Sequence, residues 1–403
     1  MIASLKKLGP GLLFAGAAIG VSHLVQSTRA GADFGWGLLW ALALSNLFKY
    51  PFFQFGARYA LTTHKSLLDG YAQLGKSYLW IFFFLSLGTM FTIQTAVTIV
   101  TASLASILFG FTPNLVVWTI VITLICLLIL WKGNFSILDK IIKWVIIILT
   151  LSTVIAVFVA GAQSQQSLSL TQVFPEKSAL LFLAAFMGWM PAPLDISVWQ
   201  SLWALEKNKN KTISVKEGLV DYNIGYVITI LLGACFMGLG TYVMYGSGVG
   251  FSNSGGVFAK QLIDLYTSSL GESFYVIIAI AAFTAMFSTT LTTLDASPRA
   301  MEKTSSILFS NNNFLNYKFW IMLLAMGTIA IFSFLLSEMG TLVQIATILS
   351  FITAPFYAYL NLRLVTSDQL PQEHQPSKGL IFLSILGLIF LSLFAIGFLF
   401  LAV

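Results

Sequence analysis

The chain has 403 residues, of which 58% are hydrophobic and 9% are charged, and its mean hydropathy is +0.88. About a quarter of the residues of a soluble domain are charged, so this composition excludes a soluble globular protein. We attribute the net charge of +6 to Lys and Arg residues in cytoplasmic loops and not to the binding of nucleic acid. Cys126 and Cys235 lie in apolar runs, which predicts two small buried side chains and no disulfide framework.

Eleven apolar runs follow one another along the chain. A helix needs about 20 mostly apolar residues to cross a bilayer. The sequence therefore predicts an all-α integral membrane protein with eleven transmembrane helices and the lipid bilayer as its main partner. The predicted spans are 10–30, 36–60, 78–109, 113–131, 139–161, 178–204, 220–245, 273–297, 316–337, 340–362 and 379–402.

The 21 Lys and Arg residues are distributed unevenly between the two ends of these spans. If the N-terminus is cytoplasmic, 17 of them lie in inside segments and Lys49 lies within the second span. The three outside residues are Arg29, Lys177 and Lys260. Lys and Arg are enriched in short cytoplasmic loops. We therefore predict a plasma-membrane protein with its N-terminus in the cytoplasm and its C-terminus outside.

Two spans contain residues that suit a helix interior badly. The first carries Gly16 and Gly20 ahead of Ser22-His23, and the sixth reads Met187 to Asp195 with prolines at 191 and 193. Each proline removes a backbone donor and clashes with the preceding turn. Freed backbone groups at membrane depth are tolerated only where they face protein or a water-lined cavity. Both helices are therefore predicted to break, although ordinary kinks are the alternative.

The first and sixth spans open two halves of five spans each. Broken helices in matching positions of two halves indicate a midplane binding site in inverted-repeat transporters. The sequence thus predicts a ten-helix transport core at 1–363, with repeats at about 1–161 and 178–363. The segment 364–403 is predicted to be an extra C-terminal helix. The substrate site is expected between the first and sixth helices.

Hydroxyl groups are concentrated in the eighth span. Ser and Thr in membrane helices often bond their own backbone or a neighbouring helix. The alternative is a cation site, in which the Ala285 carbonyl and the Ser288 and Thr289 hydroxyls face the unwound first helix. Neutral oxygens without a carboxylate would suit a monovalent ion such as Na⁺. Another polar row, which either lines the cavity or packs helices, is Thr89, Thr92, Gln94, Thr95, Thr98 and Thr101 in the third span.

Ionisable residues within spans are costly and are candidates for function by default. His23 follows the first break, and the usual pKa range of histidine makes it a candidate proton-sensitive group. Asp195 follows the second break, whereas Asp295 is expected to pair with Arg299. Outside the membrane we find no nucleophile motif, metal cluster or cofactor loop. The sequence therefore favours a transporter over an enzyme and predicts no cofactor.

A recognisable pattern occupies the first 60 residues. It consists of Gly9-Pro10-Gly11, Ala30-Gly31, Phe34-Gly35, Leu39-Trp40, Asn46 and Ala57-Arg58. Together with Met190-Pro191 and the Ser/Thr run of the eighth span, it resembles the natural resistance-associated macrophage protein (NRAMP) family. The resemblance implies proton-coupled divalent-metal transport. It also implies the ten-helix inverted-repeat core of the amino-acid/sodium symporters with one or two extra helices.

The chain departs from that family at the metal site. The family's first-helix motif is Asp-Pro-Gly-Asn, whose Asp and Asn ligate the metal. The residues aligned with it are Gly20, Val21, Ser22 and His23. The sixth-helix motif Met-Pro-His is here Met190-Pro191-Ala192, and the carbonyl one turn earlier belongs to Met187. The anionic ligand, the proton-linked His and an acidic pair in the third span are therefore missing.

Two hypotheses for the cargo follow. In the first, a transition metal is bound by His23 and Met190, since imidazole and thioether suit such ions better than Mg²⁺ or Ca²⁺. In the second, the cargo is a small anion (bicarbonate-like or a carboxylate) or a neutral solute, and Na⁺ binds in the eighth span. The coupling ion is Na⁺ or H⁺, and a sensor without transport is a third reading. The predicted substrate residues are Gly20, His23, Met187, Met190 and Asp195.

Overall fold

The computed structural model describes residues 10–131, 135–164, 169–210, 213–248, 250–272, 275–309, 314–335 and 339–402. Within these ranges every regular element is helical. The α-helices are α1 (Pro10–Ala18), α2 (Thr28–Phe34), α3 (Leu39–Thr63), α4 (Leu67–Leu74), α5 (Lys76–Phe109), α6 (Leu115–Trp131), α7 (Phe135–Gln163), α8 (Leu180–Trp189), α9 (Ile196–Asn210), α10 (Val215–Val243), α11 (Gly255–Leu270), α12 (Tyr275–Leu308), α13 (Tyr317–Ala330), α14 (Met339–Val365) and α15 (Lys378–Ala402).

Several of these helices are long and apolar enough to cross a membrane. Seven in the described part of the chain meet both conditions. They lie in α5, α7, α10, α12, α14 and α15, and in α13 together with the π-helical turn that follows it. The apolar helices α6 and α8 are shorter. The chain is therefore a membrane-spanning helical bundle, as predicted from its composition. The count of eleven spans stays a prediction, and the predicted span ends at 273 and 337 lie outside the described residues.

The first predicted span is not one continuous α-helix. Helix α1 ends at Ala18, and a bend at Ile19 and Gly20 separates it from a π-helix at Ser22–Ser27 that continues into α2. Single π-helical turns within helices frequently mark functional sites. The bend leaves carbonyls of the last turn of α1 without regular helical partners.

The sixth predicted span is also divided. Helix α8 ends at Trp189, Met190 has an extended backbone, and α9 begins at Ile196. Between them lie Pro191 and Pro193, neither of which has an N–H to continue the helix. The two interruptions face one another, because the Ser22 hydroxyl lies 3.3 Å from the Pro191 carbonyl.

Helix α1 is fixed against α10 by a close backbone approach. The Gly11 amide donates to Asp221 Oδ2 at 2.9 Å, which places a carboxylate at the N-terminal end of α1. A Cβ at Gly225 would overlap the Gly11 carbonyl. Only glycine allows the two backbones to come this close, as small residues generally do between membrane helices.

Helices α5 and α12 are joined by polar side chains. Thr293 donates to Gln94 Oε1 at 2.6 Å, and the Thr101 and Thr290 hydroxyls lie 2.7 Å apart. The amide of Gln94 also donates to the Thr290 carbonyl at 3.3 Å. The polar row of α5 therefore connects two helices at these positions.

Two simpler predictions are confirmed. Asp295 forms an ion pair with Arg299 at 2.7 Å, and the Tyr317 hydroxyl donates to its other oxygen at 2.8 Å. Cys126 and Cys235 are both buried free thiols. The Asp295–Arg299 ion pair and the two cysteines are not part of the candidate functional site.

Candidate functional site

A small cavity, which we call the central cavity, lies between the two interrupted helices. Its volume is about 20 Å³, which is room for roughly one water molecule. The indole rings of Trp189 and Trp199 form part of its wall, and Ser22, Thr289 and Thr293 contribute hydroxyl groups. The remaining lining is mostly aliphatic. The cavity is thus neutral and nearly closed in this conformation.

Oxygen atoms from α1 and α12 converge beside this cavity. The Thr289 hydroxyl lies 3.2 Å from the Gly16 carbonyl, 3.3 Å from the Ile19 carbonyl and 3.2 Å from the Ala285 carbonyl. Ser288 donates to the same Ala285 carbonyl at 2.8 Å. One hydroxyl proton serves one acceptor at a time, so the carbonyls keep lone pairs available for a cation. We call these five residues the α1–α12 oxygen cluster.

The sequence predicted only part of this cluster. Ala285, Ser288 and Thr289 were identified from their spacing, and the structure brings them together with the end of α1. The contributions of Gly16 and Ile19 were missed, because they are backbone carbonyls exposed by the bend. No side chain marks such a ligand in a sequence.

Gly20 lies against the same cluster. A Cβ at this position would come within 2.8 Å of the Thr289 methyl group and 2.9 Å of its hydroxyl oxygen. The lack of a side chain therefore allows the bend to contact α12. Gly20 supplies space to the site, and any ligand from this residue would be a backbone atom.

His23 is fully buried, and its ring points away from the cavity toward α10. Its Nε2 lies 2.9 Å from the Thr229 carbonyl, and its Nδ1 lies 2.7 Å from the Ser22 hydroxyl and 3.1 Å from the Ala18 carbonyl. A carbonyl only accepts, so Nε2 carries a proton. The Ser22 hydroxyl also donates to the Ala18 carbonyl at 2.6 Å, and both ring nitrogens of His23 are therefore occupied by protein groups.

Met190 and Asp195, which the sequence predicts for the substrate site, lie in surroundings different from those of His23. The Met190 sulfur lies toward Gly233 of α10, within an apolar cluster that includes Leu42 and Met187. Asp195 is buried in front of α9, and its Oδ1 has no hydrogen-bond partner among the described residues. None of His23, Met190 and Asp195 lines the central cavity. The described part of the chain contains no cluster of three or more His, Cys, Asp or Glu that could hold a metal.

The sequence reasoning missed Lys49. This side chain of α3 is fully buried, and its ammonium donates to the carbonyls of Met187, Gly188 and Ala192 at 2.8, 2.7 and 3.2 Å. The Met187 carbonyl, a predicted substrate ligand, is thus bound by a lysine. The sequence does contain an indication of its importance, because Lys49 is a charged residue within a predicted span and such residues are candidates for function.

Two wider cavities lie at opposite ends of the bundle. One, of about 270 Å³, is lined by Gln26, Arg29 and Asn253, near the C-terminal end of α5. The other, of about 430 Å³, is lined by charged residues near the N-terminal end of α5, including Asp69 and Lys303. We call them the Arg29 vestibule and the Lys303 vestibule.

The central cavity is separated from the Lys303 vestibule by a pair of indole rings. Trp203 lines that vestibule, Trp199 lines the cavity, and their ring centroids lie 6.2 Å apart. In the vestibule, Lys303 lies 2.6 Å from Asp69. Burial raises the pKa of Asp69, but its hydrogen bonds with Lys303 and Ser66 outweigh burial and lower that pKa.

A helical membrane bundle whose two interrupted helices meet at a buried cavity is the arrangement of a membrane transporter. A family model described as natural resistance-associated macrophage protein-like matches residues 11–401. The chain belongs to this family, and the resemblance noted from its sequence is confirmed. The family consists of multi-pass membrane proteins.

The chain is also similar to individual proteins in sequence and in fold. The chain is 36% identical to Uncharacterized protein PM0681 of Pasteurella multocida (strain Pm70), over 94% of this chain and 88% of that protein. It is 25% identical to the Divalent metal cation transporter MntH of Staphylococcus saprophyticus, over 73% and 69% of the two chains. The manganese transporter of Eremococcus coleocola has a similar fold, with a TM-score of 0.76, 14% identity and coverage of 98% and 86%.

Proposed function

We propose that the protein is a Na⁺-coupled secondary transporter, with Na⁺ bound by the α1–α12 oxygen cluster and the cargo bound between the two interrupted helices. The observation that carries this proposal is the approach of the Gly16 and Ile19 carbonyls to the Thr289 hydroxyl, at 3.2 and 3.3 Å. Carbonyl and hydroxyl oxygens suit a hard monovalent cation. Because the cluster joins α1 to α12, ion binding would stabilise one arrangement of these helices over another.

The cargo in this proposal is a small anion, such as bicarbonate or a carboxylate, or a small neutral solute. The central cavity is lined by indole, aliphatic and hydroxyl groups and has no carboxylate in its wall. A divalent ion without an anionic ligand would be costly to bury. Ile196, the first residue of α9, is part of this lining, so a small cargo would contact the start of that helix.

Alternating access is the mechanism we propose. The nearly closed centre lies between two vestibules of about 270 and 430 Å³, so a small rearrangement at either end would connect it to one side of the membrane. Two inverted repeats at about 1–161 and 178–363, with 364–403 as an extra helix, would give this motion its symmetry. We place the protein in the plasma membrane with a cytoplasmic N-terminus, so that the Lys303 vestibule faces the cytoplasm.

Uptake into proteoliposomes tests the proposal. Labelled bicarbonate, acetate and Mn²⁺ would each be supplied under an inward Na⁺ gradient, under a proton gradient and under no gradient. We expect acceleration of a non-metal cargo by the Na⁺ gradient and its loss in Ser288→Ala/Thr289→Val. The matched control is Thr292→Val, whose hydroxyl donates only within its own helix, to the Ser288 carbonyl at 2.7 Å. Mn²⁺ uptake that is independent of Na⁺ would contradict the proposal.

Transport of a metal cation is the second candidate, and a specific observation favours it. The chain belongs to the same family as relatives named for divalent metal and manganese transport, and it keeps a thioether in the sixth-helix break, at Met190. Metal binding would require the His23 ring to leave its present partners, Thr229 and Ser22. Isothermal titration with Mn²⁺ and Cd²⁺ decides between the candidates, since binding in this second case would be lost in His23→Ala/Met190→Ala.

A further inference from the structure

The break in the sixth predicted span exposes two helix ends of opposite polarity. Helix α8 ends at Trp189, and the amide of Met190 bonds the Phe186 carbonyl. The carbonyls of Met187 and Gly188 follow that last bond and therefore lack helical partners. The aligned peptide dipoles place about half a negative charge at this end and half a positive charge where the next helix begins.

Each of these ends is matched by a buried charge of the opposite sign. The ammonium of Lys49 donates to the Met187, Gly188 and Ala192 carbonyls. Those three bonds use all three of its donors. Asp195 lies directly before α9, at the positive end of that helix, and it interacts electrostatically with Lys49.

We infer that Lys49 is a tethered cation, which fills a cation site made by the Met187, Gly188 and Ala192 carbonyls with Asp195 as its counter-charge. A free ion in this place would meet the same three carbonyls, and Asp195, whose Oδ1 has no hydrogen-bond partner among the described residues, would supply a negative charge nearby. The lysine thereby excludes metal ions from the sixth-helix break. Lys49 is a positioning and specificity residue, and this inference is independent of Na⁺ coupling.

Chemical rescue tests this inference. The purified protein would be studied in Na⁺-free choline buffer, and the readout would be its thermal unfolding midpoint, so a failure of Na⁺ coupling does not affect the result. We expect Lys49→Ala to lower the midpoint by roughly 10 °C, because a buried carboxylate loses its counter-charge. Methylammonium, which has three N–H donors, should restore most of that loss. Tetramethylammonium, which has none, should not.

A gain of metal binding is the second expected result. Mn²⁺ should stabilise Lys49→Ala but not the unmodified protein, and the stabilisation should disappear in Lys49→Ala/Asp195→Asn. The control is Lys318→Ala, which removes an exposed ammonium placed over the Trp131 ring. That variant should respond to neither methylammonium nor Mn²⁺. If methylammonium and Mn²⁺ both leave Lys49→Ala unchanged, the inference is overturned.

A double-mutant cycle covers the case in which Lys49→Ala does not fold. Lys49→Met fills the space of the side chain without its charge, and Asp195→Asn removes the opposite charge. We expect Lys49→Met/Asp195→Asn to be more stable than Lys49→Met alone, because removing both charges leaves neither uncompensated. Strictly additive midpoint shifts would overturn the inference, and so would a Lys49→Met protein as stable as the unmodified chain.

Discussion

The Thr289 hydroxyl of α12 lies 3.2 Å from the Gly16 carbonyl of α1, and this contact joins residues 273 positions apart in the sequence. It ties the bend of the first predicted span to the polar face of the eighth. Because one hydroxyl proton is shared among three carbonyls, the Thr289 hydroxyl cannot donate to all three carbonyl oxygens at once. A bound cation would satisfy all of these oxygens at once.

The first prediction concerns the space at Gly20. Gly20→Ala would place a methyl group within 2.9 Å of Thr289, and such overpacking costs about 1–3 kcal/mol. We expect a lower unfolding midpoint and a loss of Na⁺-dependent uptake. Thr289→Ser in the same chain removes the clashing methyl but keeps the hydroxyl, so it should restore part of both.

The control for this substitution is Gly88→Ala. A Cβ at Gly88 would have no neighbour within 4 Å among the described residues, so this change should leave stability unchanged or raise it slightly. Equal behaviour of the two alanine variants would show that the contact between Gly20 and α12 is unimportant.

The second prediction concerns the link between α5 and α12. Thr293→Val removes the hydroxyl that donates to Gln94 Oε1 at 2.6 Å. Hydrogen bonds between membrane helices contribute roughly 0.6–1.7 kcal/mol, so we expect a destabilisation of that size, measured by unfolding in a denaturing detergent. Thr292→Val should cost less, since its hydroxyl bonds only its own helix. If the two variants are equally stable, the link contributes nothing.

The third prediction concerns pH at the Lys303 vestibule. The pKa of Asp69 is lowered below its ordinary value of 3.8, because the hydrogen bonds from Lys303 and Ser66 outweigh burial. The ionised carboxylate therefore stabilises the folded state above about pH 4, and this contribution is lost as the pH falls through the lowered pKa. Asp69→Asn should be less stable than the unmodified protein by about 1 kcal/mol near neutral pH.

The measurement for Asp69 is the difference in unfolding free energy between the two proteins across the acid range. That difference should shrink below about pH 4 and approach zero below the lowered pKa. A difference that does not change with pH would show that the carboxylate is not held ionised by Lys303.

Much of the fold could be read from the sequence, whereas less of the site could. Prolines 191 and 193 and the glycines of the first span identify where the helices are interrupted, because their effect on the backbone is local. The direction of the His23 ring is decided by α10, which supplies the Thr229 carbonyl 206 positions away. Such packing across helices leaves no local pattern.

The two main omissions have different causes. The carbonyls of Gly16 and Ile19 are ligands without a side-chain signature, so no sequence pattern indicates them. Lys49 was visible as a charge in a predicted span, but its role depends on which carbonyls the break in the sixth span exposes. That pairing requires α3 and α8 to be placed in three dimensions.

Equilibrium binding of radiolabelled Na⁺ to the purified protein tests the central claim most directly. We predict saturable binding that competes with unlabelled Na⁺, with an affinity at least roughly 10-fold weaker in Thr289→Val, since hydrogen bonds and ligands to a charged group contribute about 1.5–3 kcal/mol. Thr292→Val should bind Na⁺ as the unmodified protein does. Saturable binding that is unchanged in Ser288→Ala/Thr289→Val, or no saturable binding at all, would contradict the assignment of the α1–α12 oxygen cluster as a Na⁺ site.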